Sequence, residues 1–426
     1  MAQLSDDCFA HGGGLMPLDE ALDLLARRMV PVTSIETVPL GRALGRFLAE
    51  DVTAGMDVPP RDNSAVDGYA VYFDDLEDGA ETRLPVTGRV AAGHPLDRPA
   101  RRGEALRVFT GAIMPAGEND SGPDTVFMQE DCAVEGDPVS LPPGMARGAN
   151  RRDAGEDVAK GAAVLRAGRR LRPEDLGLAA SVGRSSLALR APLKVALFST
   201  GDEIREPGAA LDDGAIYDAN RYMLAAMLSR LGCAVTDLGI LPDDAAAVRA
   251  TLDGAAGDHD LLVTSGGVSV GEEDHVKAVI EALGGMTLWR LAIKPGRPLA
   301  LGHVNKGGRA VPFLGLPGNP AAVIVTFLRF ARPLVLHLSG CSDVAPLLFR
   351  VRAGFSHKKK LDRREFVRCR IERDTDGAPL AVKAGRQGAG VLSAVAAADG
   401  LVELPEEMTY LEAGSEVDFL PFSEAV

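Results

Sequence analysis

Paired cysteines are missing from this chain: Cys8, Cys132, Cys233, Cys341 and Cys369 stand alone, with no C-x-x-C pair and no dense framework. That spacing excludes a disulfide scaffold and fits reduced thiols in a cytoplasmic protein. The seven histidines are scattered and no H-E-x-x-H helix occurs, which argues against zinc. The N-terminus lacks a basic region followed by an apolar core, so no signal peptide is expected. Long uninterrupted apolar runs are lacking too. The most apolar stretch, residues 320 to 338, is broken by Arg329, Arg332 and Pro333 and reads as a buried helix rather than a membrane span. Basic excess is also absent. With 46 Lys and Arg against 60 Asp and Glu, the formal net charge of -14 disfavours broad binding to nucleic acid or anionic membrane. An anionic ligand must instead meet a local basic pocket.

What is present points to a multi-domain enzyme or scaffold. The 426 residues exceed what a single core usually holds, and 46% hydrophobic with 25% charged residues suits a soluble protein with large cores. The stretch from Asp260 to Arg297 organises the rest. Leu261 to Thr264 reads as a strand buried on both faces. Ser265, Gly266, Gly267 and Gly271 then allow a sharp turn and close approach of the backbone to a ligand. Val276, Val279, Ile280 and Leu283 form a helix stripe starting near Asp274, and a strand from Met286 to Ile293 ends at Lys294-Pro295-Gly296-Arg297. An acidic, glycine-rich loop and a cationic loop should therefore open on one edge of a parallel sheet, where α/β folds bind ligands.

Around this centre the chain separates into regions. Residues 17 to 29 form a helix. Residues 30 to 58 contain a strand-like piece, Ser34 to Leu40, and a helical one, Leu44 to Ala49. Short alternating segments from Val66 to Leu141 suggest a small β-domain, with a polar, solvated loop from Glu118 to Asp124. Alternating strands and helices from Leu193 predict a doubly wound, mostly parallel sheet, in which Asn220 caps a helix and residues 305 to 308 make a hairpin. Residues 347 to 420 are strand-rich and close the chain as a β-barrel-like domain.

The strand ends offer Asp202 and Glu203, then Asp243 and Asp244, then Glu272, Glu273 and Asp274. Each is compatible with simple placement at a helix start. Together, beside Lys294 and Arg297, they can hold Mg²⁺ against a phosphate-bearing ligand. The Ser265-Gly266-Gly267 backbone can present N–H groups to an oxyanion, or form only a tight turn. His357 to Lys360 with Arg363 and Arg364 reads as a solvated basic hairpin end, and Trp289 as core.

An ordered series of motifs then adds what spacing cannot. NSAVDGYAV, FTGAIMP with VFMQED, NRRDAGEDV, STGDEI, YDANRYML, PDD, TSGGVSVGEEDH, WRLAIKPGRP and GLPGNP together resemble the molybdopterin molybdenumtransferases, the MoeA family that includes the E domain of gephyrin. The resemblance covers nearly the whole chain. It implies Mg²⁺-dependent insertion of molybdate into adenylylated molybdopterin with release of AMP, by an elongated cytoplasmic homodimer. Molybdopterin adenylyltransferase would act upstream, and molybdoenzymes or their chaperones downstream. It also implies an α/β catalytic domain (17–29 and 190–340), a mixed linker and dimerisation domain (30–58 and 147–189), a small β-domain serving the partner's active site (59–146) and a C-terminal β-domain (341–426).

By the same resemblance Asp67 and Thr110 enter the site from the partner subunit. Glu203, Asp243 or Asp244, and Asp274 serve as metal or substrate carboxylates. Lys294, Arg297, Arg290 and the turn Ser265, Gly266, Gly267 with Ser269 hold phosphate or molybdate, and Pro317 and Pro320 shape the pocket floor. The chain departs from the family at Val66, where Met is usual, at the 118–124 insertion, and at Ala389, which replaces a serine. An adenylyltransferase, a tungstate-handling paralogue and a gephyrin-like scaffold are the rival functions.

Overall fold

The structure, a computed structural model, describes residues 15–134, 136–242, 244–266 and 275–425. Its centre is a six-stranded sheet in the order Ala234–Leu241, Lys194–Thr200, Leu261–Ser265, Arg309–Leu316, Pro298–Lys306, Gly284–Arg290. The first four strands are parallel, and the last two join them through antiparallel pairings. The strand ending at Arg290 runs in the same direction as Leu261–Ser265, so their following loops do share an edge. They are not neighbours, however. The hairpin of Pro298–Lys306 and Arg309–Leu316 lies between them, turned by Gly307 and Gly308 at φ of 56° and 77°.

Alternation along each strand builds two cores. Val195, Leu197, Leu261, Val263, Leu314 and Leu316 face one side, beneath the helices Leu18–Arg28, Asn220–Arg230 and the stretch from Pro320 to Leu338. Ala196, Phe198, Leu262, Val311 and Phe313 face the other, beneath Ala245–Asp258 and His275–Leu283. Helices on both faces of the sheet are the doubly wound arrangement that the strand and helix alternation predicts. Burying each large apolar side chain favours folding by about 1.5 to 3 kcal/mol, and this layer supplies most of them. Trp289 is buried in the first core, edge-on to Phe330 at 5.5 Å. The apolar segment from Pro320 to Leu338 is long and apolar enough to cross a membrane, yet 89% of it is buried inside the protein. Its middle turn, Phe327–Ala331, is π-helical.

The C-terminal region is a closed barrel. Arg364–Arg373 pairs with both Pro379–Lys383 and Gly400–Leu404, and Phe349–Ala353 and Glu416–Pro421 complete the ring. Closure removes free strand edges. The barrel is stitched to the α/β layer by Ile293–Lys294, which pairs in parallel with its strand at Arg364 and Glu365.

A third six-stranded sheet, in the order Thr125–Met128, Gly68–Val71, Ala105–Val108, Thr82–Val90, Pro138–Leu141, Ala133–Val134, belongs to the small β-region. A third, mixed region pairs Ile35–Pro39 with Ser186–Arg190 around the helix Pro173–Ser181. One expectation fails here and another is refined. Residues 44 to 49 are not helical: Phe47 and Leu48 make single bridges to Arg170 and Leu189, so their apolar side chains serve a sheet-like core rather than a helix stripe. The 118–124 loop is exposed at residues 118–121, as expected, and also anchored, because Asp120 Oδ1 accepts from the Tyr72 hydroxyl at 3.0 Å and from the Gly122 N–H at 2.8 Å.

Candidate functional site

The C-terminal ends of the parallel strands converge on two cavities that share Gly266, Gly318 and Asn319. The sheet-edge cavity, about 320 Å³, is lined by Thr200, Glu203, Tyr217, Asn220, Ser265 and Pro320 among others. The barrel-side cavity, about 440 Å³, lies between the α/β layer and the barrel, with Lys294, Pro295, Gly296 and Pro317 on one wall and His357, Glu365, Gln387 and Ala389 on the other. Ala389 also binds the α/β layer through its carbonyl, which accepts from Ala321 N–H at 2.9 Å. Its methyl stands where the resemblance leads one to expect a hydroxyl.

The sheet-edge cavity is held by polar contacts. Asn220 does not cap its helix. Its Nδ2 donates to Ser265 Oγ at 2.9 Å and to Gly318 O at 2.7 Å, and Ser265 Oγ donates to Pro317 O at 3.0 Å. The capping role falls to Asp218, whose Oδ1 accepts from Arg221 N–H. Buried Arg221 also pairs with Asp237 and Glu206 and so fixes the loop that carries Tyr217.

Asn220 Oδ1 and Thr200 Oγ1 are buried with no hydrogen-bond partner. Glu203 lines the same space and carries no side-chain ion pair among the described residues. These are hard oxygen donors of the kind Mg²⁺ takes, usually one or two carboxylates completed by phosphate and water. Among the described residues no group of three or more His, Cys, Asp and Glu could hold a metal ion.

The other expected site residues fall into three groups. Gly267, Ser269, Asp243 and Asp274 lie outside the described residues. Lys294, Pro317, Pro320, Ser265 and Gly266 do line the cleft, but not always in the expected manner. The Gly266 N–H is committed to Leu316 O at 3.1 Å and the Ser265 hydroxyl to Pro317 O, so neither is free to cradle an oxyanion. Asp244 caps its helix by accepting from Ala247 N–H at 2.8 Å. Arg290 and Arg297 are exposed and stand outside both linings. Asp67 and Thr110 meet each other, with Asp67 Oδ1 accepting from the Thr110 N–H and hydroxyl at 2.8 Å each, which holds the carboxyl below its ordinary pKa. They do not meet the α/β loops within this chain, as neither lines the cleft.

Sequence reasoning missed the barrel's contribution. The basic run near His357 is not a solvated end. Lys359 Nζ, 8% exposed, donates to the carbonyls of Pro405, Glu406 and Met408, and Arg364 reaches Asp19 and Glu406. Glu365, 3% exposed, takes Lys294 Nζ at 2.7 Å, His357 Nε2 at 3.0 Å and Arg363 Nη2 at 3.3 Å. Burial works to raise its pKa, but the bonds from Lys294 and His357 outweigh burial and hold it low. In the same way Arg169 outweighs burial at Asp175, and Arg98 at Glu104. These lowered carboxyls stabilise the fold fully above the ordinary carboxylate range and lose that contribution as pH falls through their folded pKa values. The thermal midpoint is accordingly expected to hold from pH 7 to about pH 5 and to drop between about pH 4 and 2. Calorimetry across that range checks it.

Gly296 sets the cationic loop. Its φ is 111°, and a Cβ there would sit 2.6 Å from Thr326 Cγ2. Gly296→Ala is expected to push the loop off the core helix and move Lys294, lowering turnover tenfold or more, since ~1 Å misplacement at a site can cost about a hundredfold. Steady-state kinetics beside an unchanged circular dichroism spectrum would show it.

Three family models cover the chain: the MoeA N-terminal region (domain I and II) over residues 16–183, the probable molybdopterin binding domain over 196–337, and the MoeA C-terminal region (domain IV) over 350–422. Curated relatives named molybdopterin molybdenumtransferase include one from Haemophilus influenzae, 37% identical over 96% of this chain and 99% of its own length. Another, from Nostoc sp., is 34% identical over 90% and 87%. A crystal structure of the molybdopterin biosynthesis moeA protein from Pyrococcus horikoshii superposes with a TM-score of 0.82 at 29% identity, covering 96% of this chain and all of that one. Matched by these family models and by curated relatives along nearly its whole length, the chain belongs to the MoeA family.

Proposed function

We propose that this protein is a molybdenum-inserting transferase of molybdenum cofactor biosynthesis, joining molybdate to the dithiolene of adenylylated molybdopterin in a Mg²⁺-dependent step that releases AMP. The observation that carries this reading is the cleft itself. It joins an oxygen-lined half at the sheet edge to a half walled by a half-exposed lysine, Lys294. Molybdate is a tetrahedral dianion, and the half-exposed Lys294 ammonium, paired with Glu365 at 2.7 Å, supplies the positive charge of the barrel-side lining. Glu203 with Asp274 would hold Mg²⁺, supported by the unmet oxygens of Asn220 and Thr200. When bound, the metal neutralises charge on the phosphoanhydride as AMP leaves.

The reading includes a homodimer. Asp67 and Thr110 form a preorganised polar pair on the small β-region, away from their own chain's cleft. A second copy would bring such a pair to it. The Thr110 bonds keep Asp67 ionised, as a group facing a metal or a substrate N–H needs to be. The four described cysteines form no disulfide, in keeping with a cytoplasmic setting. An enzyme that adenylylates molybdopterin must act before this one, and molybdoenzymes or their chaperones take the product.

Activation of a cofactor-free molybdoenzyme tests this reading. The purified protein, given adenylylated molybdopterin, molybdate and Mg²⁺, is expected to restore that enzyme's activity, and omission of Mg²⁺ is expected to prevent it. Equal activation without the protein would contradict the assignment.

A further inference from the structure

The proposed function assigns Lys294 to the oxyanion but gives the barrel wall opposite it no task. That wall holds the most concentrated buried charge in the cleft. Glu365 is a single carboxylate, almost wholly buried, faced by Lys294 from the α/β layer and by His357 and Arg363 from the barrel. Lys359 lies close enough to act on it electrostatically, with its own ammonium held by three carbonyls. Lys294 is the exposed member, its side chain 48% accessible, while the Glu365 side chain is 4% accessible and that of His357 16%. Lysine and carboxylate, and the histidine between barrel and cavity, all line the same space.

This arrangement has a consequence for a dianion. Its ammonium partner is already tied to Glu365 at 2.7 Å. A dianion that engages Lys294 both competes with Glu365 for that charge and meets the Glu365 charge itself. Both penalties shrink if another cation takes over the carboxylate. Arg363 holds Oε2, and His357 is the group on Oε1, the same oxygen that Lys294 uses, that can gain a charge near neutrality. We propose that His357 and Glu365 form a proton-linked positioning device for Lys294: protonation of His357 compensates Glu365 and releases the lysine to a tetrahedral oxyanion. This inference rests on the proposed role of Lys294. His357 and Glu365 act through the lysine and are positioning residues.

Proton uptake on anion binding makes the affinity fall as pH rises through the range in which an imidazole changes charge, between about pH 5 and 8. Calorimetric titration with molybdate, repeated with sulfate, whose charge is constant over this range, reads this directly. For the wild-type protein Kd is expected to rise about three- to tenfold from pH 6 to pH 8 with both anions. In His357→Gln, which keeps a donor to Glu365 but cannot gain a charge, Kd is expected to be nearly constant over that range. Glu365→Gln removes the competitor and is expected to bind molybdate more tightly than wild type at pH 8, again without the slope. His357→Gln keeps the test decisive if Glu365→Gln does not fold.

A wild-type affinity that does not change with pH, or a slope retained in His357→Gln, overturns the inference while a Lys294-dependent affinity leaves the proposed function standing. Loss of binding in neither Lys294→Ala nor Lys294→Gln would overturn both.

Discussion

Lys294→Ala is expected to lower molybdenum insertion by about 10²- to 10³-fold, the size of effect seen when one preorganised charge or donor is removed from an active site. The lysine's place gives it that weight. It is the second residue of the short strand Ile293–Lys294 that joins the barrel, paired in register with Glu365, so its backbone is fixed by the barrel strand. Its ammonium is the cationic group on the α/β wall of the barrel-side cavity, since Arg297 and Arg290 lie outside the lining. Loss of fold does not explain such a result. The Lys294 side chain is half exposed, and removing it leaves the buried Glu365 still bonded to His357 and Arg363, so some stability is lost but less than the about 3 to 5 kcal/mol of a buried charge left without any partner. Gel filtration of the variant should therefore match wild type, and its melt should still be cooperative at a somewhat lower midpoint. Asp274→Asn is expected to abolish insertion in the same way, by weakening the hold on Mg²⁺.

Glu403→Ala carries the largest expected loss of stability. Glu403, on the barrel strand Gly400–Leu404, lies 2.8 Å from Arg329 in the π-helical turn of the apolar helix, and both side chains are under a tenth exposed. The short distance does not make an aligned hydrogen bond, since the Arg329 Nε–H and Glu403 Oε1 find no properly directed partner. What holds them is charge in a poorly solvated place. Burial lowers the pKa of Arg329 and raises that of Glu403, as burial of charge must, and each is offset only in part by the other. Removing the carboxylate strands the guanidinium in the core, at a cost of about 3 to 5 kcal/mol. Replacing both, as Arg329→Met with Glu403→Leu, is expected to recover most of that loss, because an apolar pair of similar volume avoids the desolvation altogether. Denaturant unfolding of the single and double variants measures the difference. The pair spans the joint between α/β layer and barrel, so the single variant is also expected to loosen the cavity that holds Lys294.

The parts legible in the sequence were those written in local pattern. The run at 261 to 264, the stripe Val276, Val279, Ile280 and Leu283, and the Gly-Gly hairpin all appear as the pattern predicts, because periodicity and turn chemistry act over a few residues. Motif resemblance supplied the family. Long-range partnership remained hidden. Asn220 looked like a cap, yet it spans to Ser265 and Gly318, and nothing near it in the chain announces those partners. The basic run at 357 to 364 looked solvated because the partners of Arg364 and Lys359, Asp19 and the carbonyls of Pro405, Glu406 and Met408, are supplied by distant segments, while the burial of the adjacent Glu365 depends on the fold. The Ser265-Gly266 turn looked like a phosphate cradle, and only the neighbouring strand ending at Leu316 reveals that its N–H is already taken.

Release of AMP from adenylylated molybdopterin, measured with Mg²⁺ in the presence and absence of molybdate, tests the central claim most directly. The account predicts release by the wild-type protein that requires molybdate and that Lys294→Ala lacks. Release at the same rate without molybdate, or undiminished in Lys294→Ala, would contradict it.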